Sequence, residues 1–522
     1  MTRPERGTTG ERRATVRVRR SLEQWLLAYA AAAILVTLAT AKVASAQQNF
    51  KTVFDFHFPR GAFPVAGLVQ GLDGDFYGTT SQGGVNDLYG GTVFKITPGG
   101  KITTLYSFCF EFSCTDGEFP NAGLVQATDG NLYGTTVHGG AYTTSECNGS
   151  GCGTVFKIMP GGTLTTLYSF CPKYPCTDGQ YPYAGLVQAT DGNFYGTTYE
   201  GGSDSYYGTI FKVTPSGTLT TLHSFDSADG AYPLAALIQA ADGNFYGTTF
   251  NGGSSGSCSS GCGTVFKITV SGTLTTLHSF DFTDGANPDA GLVQGTDGDL
   301  YGTTAYGGAN SNDCNPYSGY VGCGTVFKIS RSGSFTTLHS FDSADGANPY
   351  AGLVQATDGN LYGTTPNGGS NPCGGPGCGT VFKMTPTGTL TTLHSFDLSD
   401  GAVPHAALVQ ATDGTFYGTT TNGGANNFCA EQRCGTIFNL GVGLAPFVET
   451  LPSSGKVGMF VKILGTNLTH ATSVTFNGTP AVFSAEGSSI VTRVPAGATT
   501  GAVQVVTPDG TLSGNVPFRV IQ

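Results

Sequence analysis

The sequence predicts an all-β chain: a seven-bladed β-propeller whose N-terminal strand closes the last blade, followed by a small Ig-like β-sandwich. Three observations carry that prediction. The string Tyr-Gly-Thr-Thr recurs seven times, with its Tyr at 77, 133, 195, 246, 301, 362 and 417, and a fixed internal period marks a repeat architecture. Each copy reads as four short runs rich in Val, Thr, Phe and Tyr, separated by turn residues. Glycine supplies 80 of the 522 residues while charged residues reach only 11%, which excludes coiled coils and charged disorder. No Gly-X-Y register is present, so the glycine is not collagenous.

The elements follow in chain order. The first 24 residues carry seven arginines, residues 25–41 form an uncharged apolar run, and Ala44-Ser45-Ala46 follows. A basic region, an apolar region and small residues at a cut site describe a secretory signal peptide over residues 1–46. Without it the remainder holds 16 basic and 32 acidic residues. That balance argues against duplex nucleic acid or an anionic membrane surface as partner. No later apolar run approaches the ~20 residues of a spanning helix, so no membrane insertion is expected after cleavage.

The repeat region covers residues 47–441. In the fourth copy the strands are expected at 236–239, 244–249, 263–268 and 273–280. Asp-Gly lies between the first and second strands of every copy, from Asp73-Gly74 to Asp413-Gly414. That dipeptide suits a type I′ turn, which makes the two strands antiparallel neighbours. The link between third and fourth strands is equally short, as in Thr-Pro-Ser-Gly at 214–217. Four antiparallel strands repeated radially is the sequence form of a propeller; a stacked β-helix would need a much shorter period than the 51 to 62 residues seen.

The ends sharpen the reading. The seventh copy lacks its fourth strand, and Phe-Lys-Thr-Val-Phe-Asp-Phe at 50–56 matches the missing pattern, as in Leu-Thr-Thr-Leu-His-Ser-Phe at 219–225. Pairing head with tail abolishes an open edge. The first strand is then innermost, and it begins with small residues every time, from Ala66-Gly67 to Ala406-Ala407.

The strings Asp-Gly-Asn-Leu/Phe-Tyr-Gly-Thr-Thr, Gly-Thr-Val-Phe-Lys-Ile and Leu-Thr-Thr-Leu-His/Tyr-Ser-Phe, spread over roughly residues 50–440, resemble the GloVer tandem-repeat proteins. These are secreted bacterial chains whose members end in differing surface anchors. The resemblance implies secretion to the extracellular space, periplasm or cell surface. It implies no chemistry, and no terminal anchor is recognisable in this sequence.

All fourteen cysteines fall into local pairs within the repeats. Cys147/Cys152, Cys258/Cys262, Cys314/Cys323, Cys373/Cys378 and Cys429/Cys434 occupy connections between second and third strands. Cys109/Cys114 and Cys171/Cys176 follow fourth strands. Second-to-third connections with cysteine run 13 to 19 residues, and the two without run 10 and 9. In a secreted chain this reads as seven disulfides stiffening long loops. Zinc would want four ligands, and most pairs sit alone in their unit. These loops and the fourth-to-first connections emerge on one face, which becomes the expected binding face.

The residue before each first strand varies between constant flanks, and Asn121, Tyr183, Asp289, Tyr350 and His405 form a candidate ligand-contacting collar at the channel mouth. The alternative is drift at exposed positions. His223, His278, His339 and His394 share one fourth-strand position, so they cannot converge on one ion and are expected to pack structurally. The Asp226-x-x-Asp229 pattern and its copies offer oxygen for calcium but lack the carboxylates of an EF-type loop. An Asx turn accounts for them, so no cofactor is expected, with calcium as the alternative. No His-Glu-x-x-His or P-loop motif occurs.

After a short linker at 442–445, a new pattern of alternating strands begins, with runs at 459–464, 473–476, 490–494, 502–506 and 518–521. The strings at 461–467, 474–478 and 494–501 resemble an IPT/TIG domain spanning residues 446–522. Some relatives contact DNA, but this segment has no basic face, so the resemblance implies spacing or adhesion.

The leading expectation is a secreted, monomeric, non-catalytic protein that binds an extracellular glycan or protein through its stapled loop face. The alternative is a lyase or hydrolase acting at the channel mouth, since propellers resembling streptogramin lyase share the Asp-Gly-Asn-Leu style. Catalysis would require His405 and Asp289, with His138 a weaker candidate, to converge on one site.

Overall fold

The computed structural model describes residues 49–521 apart from loop positions 86–89, 110, 112, 143–146, 148, 204–205, 311–313, 315–320, 372, 374, 376, 426–428 and 430–432. The signal-peptide reading of residues 1–46 lies outside the described residues. The described chain is all-β, with two single-turn 3-10 segments at Phe58–Arg60 and Leu468–His470. Four-stranded antiparallel sheets follow one another along the repeats in a propeller-like arrangement. The first is built from Val69–Gln70, Phe76–Thr80, Thr92–Ile96 and Ile102–Ser107, paired in chain order.

The last repeat supplies Val409–Gln410, Phe416–Thr420 and Thr436–Leu440, and its outer strand is Phe50–Asp55 from the head of the described chain. The register runs antiparallel from Phe50 opposite Leu440 to Asp55 opposite Thr436. Aromatic packing fixes this strand on both sides. Phe50 stacks on His394 of the preceding sheet with centroids 3.8 Å apart, and Phe56, fully buried, meets Phe94 of the first sheet at 5.3 Å.

Each residue of Tyr-Gly-Thr-Thr has a separate physical task. The Tyr77 hydroxyl donates to Asp73 of the turn at 2.7 Å, and Lys95 reaches the same carboxylate oxygen at 2.7 Å. A Cβ on Gly78 would come within 2.7 Å of the Phe94 ring and 2.8 Å of Leu68, so only glycine admits that close approach. Thr79 donates to the Ala122 carbonyl of the next sheet at 3.0 Å. Thr80 bonds Thr92 on the adjacent strand at 2.8 Å. All five residues of this strand are buried in every repeat, because neighbouring sheets cover both faces.

Two sets of polar bonds link sheet to sheet. Gln126 accepts from the Leu72 amide at 3.0 Å, Gln188 from Thr128, Gln239 from Thr190, Gln294 from Ala241, Gln355 from Thr296 and Gln410 from Thr357. Gln70 then accepts from Thr412 at 2.9 Å, returning the series to its start. The threonines close the same way, from Thr79 to Ala122 through to Thr419 donating to Ala66 at 3.0 Å. The small residues at the inner strands allow this approach: a Cβ on Gly67 would lie 3.0 Å from the Ala407 carbonyl oxygen.

Two expectations are corrected. The inner strands are only two residues long, Ile238–Gln239 in the fourth copy, where 236–239 was expected. The Asp-Gly turns are not type I′, because only the glycine takes a positive φ, +84° at Gly74, and Asp73 does not. The Gly74 amide bonds Gly71 and the Gly71 amide bonds Asp75, a type I turn followed by a left-handed glycine. In that geometry one Asp73 oxygen caps the Asp75 amide at 3.2 Å while the other faces Tyr77 and Lys95.

The C-terminal segment forms two further four-stranded sheets. One holds Val448–Leu451, Phe460–Gly465, Ser489–Arg493 and Phe483–Glu486; the other holds Thr479–Pro480, Ser473–Phe476, Val503–Thr507 and Gly510–Ser513. Val461, Ile463, Val474, Phe476, Ile490, Val505 and Phe518 form the core between them. The segment rests against the Asp-Gly turn side of the repeats: Ser488 donates to the Leu72 carbonyl at 3.0 Å, the Phe447 amide to Thr412 at 2.9 Å, and Arg519 to Ala241. The expected linker is itself packed, with Val442 and Leu444 against the core of the last sheets.

Replacing Phe56 by Ala tests the closing strand. We expect a loss of about 3–5 kcal/mol, the range for truncating a fully buried Phe, read as a lowered guanidinium midpoint. A loss under ~1 kcal/mol would show that the strand contributes little.

Candidate functional site

On the side opposite the Asp-Gly turns, the chain forms a cavity of about 620 Å³ near the inner ends of the first strands. Its wall contains Tyr183, Asp289, Tyr350 and His405, four of the five candidate collar residues. Each is the second residue after a loop position with positive φ: Tyr181, Asn287, Asn348 and Val403. Asn121, the fifth, is not among the lining residues, and its side-chain oxygen is buried without a hydrogen-bond partner.

Leu234, at the same place in its unit as the collar residues, and Val403 also line it, and the rest of the wall comes from the two residues that follow Tyr-Gly-Thr-Thr: Tyr199, Phe250, Tyr306, Pro366 and Asn367. Their signal was available, since the first position varies among Ser81, Val137, Tyr199, Phe250, Ala305, Pro366 and Thr421, and the second among Gln82, His138, Glu200, Asn251, Tyr306, Asn367 and Asn422, after a constant strand. Tyr350 organises the centre. Its hydroxyl lies 2.7 Å from that of Tyr306, and its ring stacks on His405 with centroids 5.1 Å apart and planes within 8°. Tyr183 meets Tyr199 edge-on at 5.5 Å.

The electrostatics follow from this aromatic lining. Burial pushes the Asp289 carboxyl up to about 7 and the His405 imidazole down to about 4. Both are therefore biased toward their neutral forms. Burial, reinforced by the carboxylate of Glu200, raises the Tyr183 hydroxyl. His405 and Asp289 share the wall without a hydrogen bond between them, and the sheet that carries Tyr350 lies between theirs. His138, a weaker candidate, is outside this wall, packed edge-on to Tyr181 at 5.1 Å, and burial lowers its pKa.

The outer histidines are satisfied within their own units. His223 pairs with Asp229 at 2.7 Å, His278 with Asp284, His339 with Asp345 and His394 with Asp400. Tyr106 and Tyr168 make the equivalent bond to Asp116 and Asp178. The paired aspartates shape the loop: Asp226 accepts from the Ala228 and Asp229 amides, and Asp229 from the Asp226 amide. Their oxygens are thus engaged by the protein, which is the Asx-turn arrangement.

All fourteen cysteines are joined, as Cys109–Cys114, Cys147–Cys152, Cys171–Cys176, Cys258–Cys262, Cys314–Cys323, Cys373–Cys378 and Cys429–Cys434. Each closes a short local loop. Replacing both Cys258 and Cys262 by Ser is expected to cost no more than about 2 kcal/mol in urea unfolding; a larger loss would mean the bridge braces more than its own loop.

The pH dependence of stability separates the two titratable wall residues. Between the ordinary carboxyl range, near 3.8, and about 7, the folded chain keeps a proton on Asp289 that the unfolded chain has lost, so stability falls as pH rises. His405 acts in the opposite sense between about 4 and 6.5, where the unfolded chain holds the extra proton and stability rises with pH. Asp289→Asn should therefore be more stable than the parent above pH 7, and its stability should climb more steeply between pH 4 and 6.5. Guanidinium midpoints at pH 5 and pH 8 check this, and an unaltered difference between them would contradict it.

The profile of the Gloeobacter/Verrucomicrobia repeat matches residues 39–171, 141–315 and 312–438. No curated protein matches the chain. Among solved structures, a fungal alcohol oxidase of the AA5 family in complex with copper is 14% identical, covering 90% of this chain and 99% of its own, with a TM-score of 0.49. A putative gluconolactonase is 13% identical, covering 62% of this chain and 88% of its own, with a TM-score of 0.35. Neither likeness bears on the chemistry of the cavity. The repeat profile spans most of the chain, which belongs to the Gloeobacter/Verrucomicrobia repeat family.

Proposed function

We propose that the chain is a secreted, non-catalytic binding protein: a seven-bladed β-propeller whose cavity takes a hydroxylated ring-shaped ligand of the carbohydrate type. The C-terminal segment, read as an Ig-like IPT/TIG module, serves as spacer. The observation that carries the reading is the composition of the cavity wall. Tyr183, Tyr199, Phe250, Tyr306 and Tyr350 offer flat apolar faces, while Asp289, Asn367 and the tyrosine hydroxyls supply a few polar groups among them. Apolar walls with a small number of placed polar groups are what orient a small ligand. The disulfides support an oxidising, extracellular setting. No helix among the described residues is long and apolar enough to cross a membrane.

The enzymatic alternative has one specific observation in its favour: a carboxyl with a pKa of about 7 is suited to donate a proton near neutral pH. Glycoside hydrolysis, however, calls for two carboxyl groups flanking the bond, and Asp289 is the one carboxylate in the described wall. Binding without turnover is therefore the better-supported reading.

The test is an oligosaccharide array followed by calorimetry on the best hit. Tyr350→Ala should weaken binding about tenfold, the effect of losing ~1.4 kcal/mol, and the ligand should be recovered uncleaved. Binding indifferent to Tyr350→Ala would move the ligand away from the cavity. Cleavage that disappears in Asp289→Asn would replace the binding reading with the enzymatic one.

A further inference from the structure

The second repeat differs from the others in its sulfur. It alone carries a cysteine pair both between its second and third strands, Cys147 and Cys152, and after its outer strand, Cys171 and Cys176. The spacing is Cys-x4-Cys, eighteen intervening residues, then Cys-x4-Cys. Folding brings the two pairs together: the four sulfurs lie within 4.8 Å of one another, and all four side chains are buried. Most cysteine pairs stand alone in their unit, with too few sulfurs for zinc; this unit is the exception.

We propose that in their thiol state Cys147, Cys152, Cys171 and Cys176 form a tetrathiolate site for a thiophilic divalent cation, zinc above all. A tetrahedral zinc centre has Zn–S bonds of about 2.3 Å, which separates its sulfurs by roughly 3.8 Å. No two of the four sulfurs lie more than 4.8 Å apart, so the two pairs already face each other at the range such a site spans. The loops are also held by backbone bonds that do not depend on sulfur. The Ser150 amide bonds the Cys147 carbonyl at 2.9 Å, Tyr181 bonds Cys152 at 2.9 Å, and Gly179 and Gly202 both bond Cys176 at 3.0 Å. The Cys171 amide donates to Asp178 at 3.0 Å. Opening the two disulfides therefore leaves the loop backbones in place, while each bonded pair of sulfurs parts from about 2 Å to the wider spacing of a zinc site.

The chemistry balances simply. Two equivalents of a dithiol reductant supply four electrons and four protons, each equivalent becoming a disulfide, and the two cystines become four thiols. The cation then displaces the four thiol protons. The other five pairs furnish two sulfurs each, half of what such a site needs.

The experiment uses the full chain produced in a reducing cytosol and purified anaerobically, with all fourteen thiols verified by titration after unfolding. Cobalt is the probe, because its absorption reports tetrahedral thiolate ligation. We expect one cobalt per chain with a thiolate charge-transfer band, displaced by zinc. Cys171→Ser with Cys176→Ser should abolish the band, and Cys109→Ser with Cys114→Ser should leave it intact. Native circular dichroism serves as the folding control for each. A folded thiol-state chain that takes no cobalt overturns the proposal, as does a band that survives the first double variant or is lost equally in the second. A thiol-state chain that fails to fold also overturns it, because the site requires the loops to hold without their bridges.

Discussion

The constraint on which the rest depends is that neighbouring sheets must bond to each other all the way round. The glutamine and threonine series supply it, and both return to their origin, at Gln70 with Thr412 and at Thr419 with Ala66. A linear stack of the same units would lose these two bonds and leave Phe76 and Tyr417, now packed at 4.2 Å, open to water at its ends. The outer strand Phe50–Asp55 meets the same demand at the rim, where an open edge would template association.

That constraint divides the chain between two faces. Asp-Gly turns are tight because the aspartate is bound to its own tyrosine and lysine, and they present a regular surface on which the C-terminal segment rests. The opposite face carries the long cystine-bearing loops and the cavity. Variation is concentrated where the ring tolerates it: at the residue before each inner strand and the residue after each Tyr-Gly-Thr-Thr. The cavity is where these two variable positions from several units meet.

Legibility in the sequence followed repetition. Strand types, the head-to-tail pairing and the cysteine partners could be read because each was written several times over. The type of the Asp-Gly turn could not, because Asp73 stays out of the left-handed region in order to cap Asp75, a choice set by tertiary contacts with Tyr77 and Lys95. Variability marks Tyr183, Asp289, Tyr350 and His405, whereas Asn121 shares that pattern and is not among the residues that line the cavity. Tyr199 and Phe250 stand directly after their strands and Tyr306 one residue further on, inside connections whose course the sequence pattern does not reveal. The meeting of Cys147/Cys152 with Cys171/Cys176 required the fold, since only strand pairing brings those two loops side by side.

The position of Phe50–Asp55 has a consequence for how the molecule is made. This strand leaves the ribosome first, yet its partner Thr436–Leu440 is synthesised nearly four hundred residues later. Closing so long a span is slow by its nature. Each earlier repeat builds its sheet from consecutive strands, but the last sheet waits for both ends, so the circle is completed only when the whole repeat region exists.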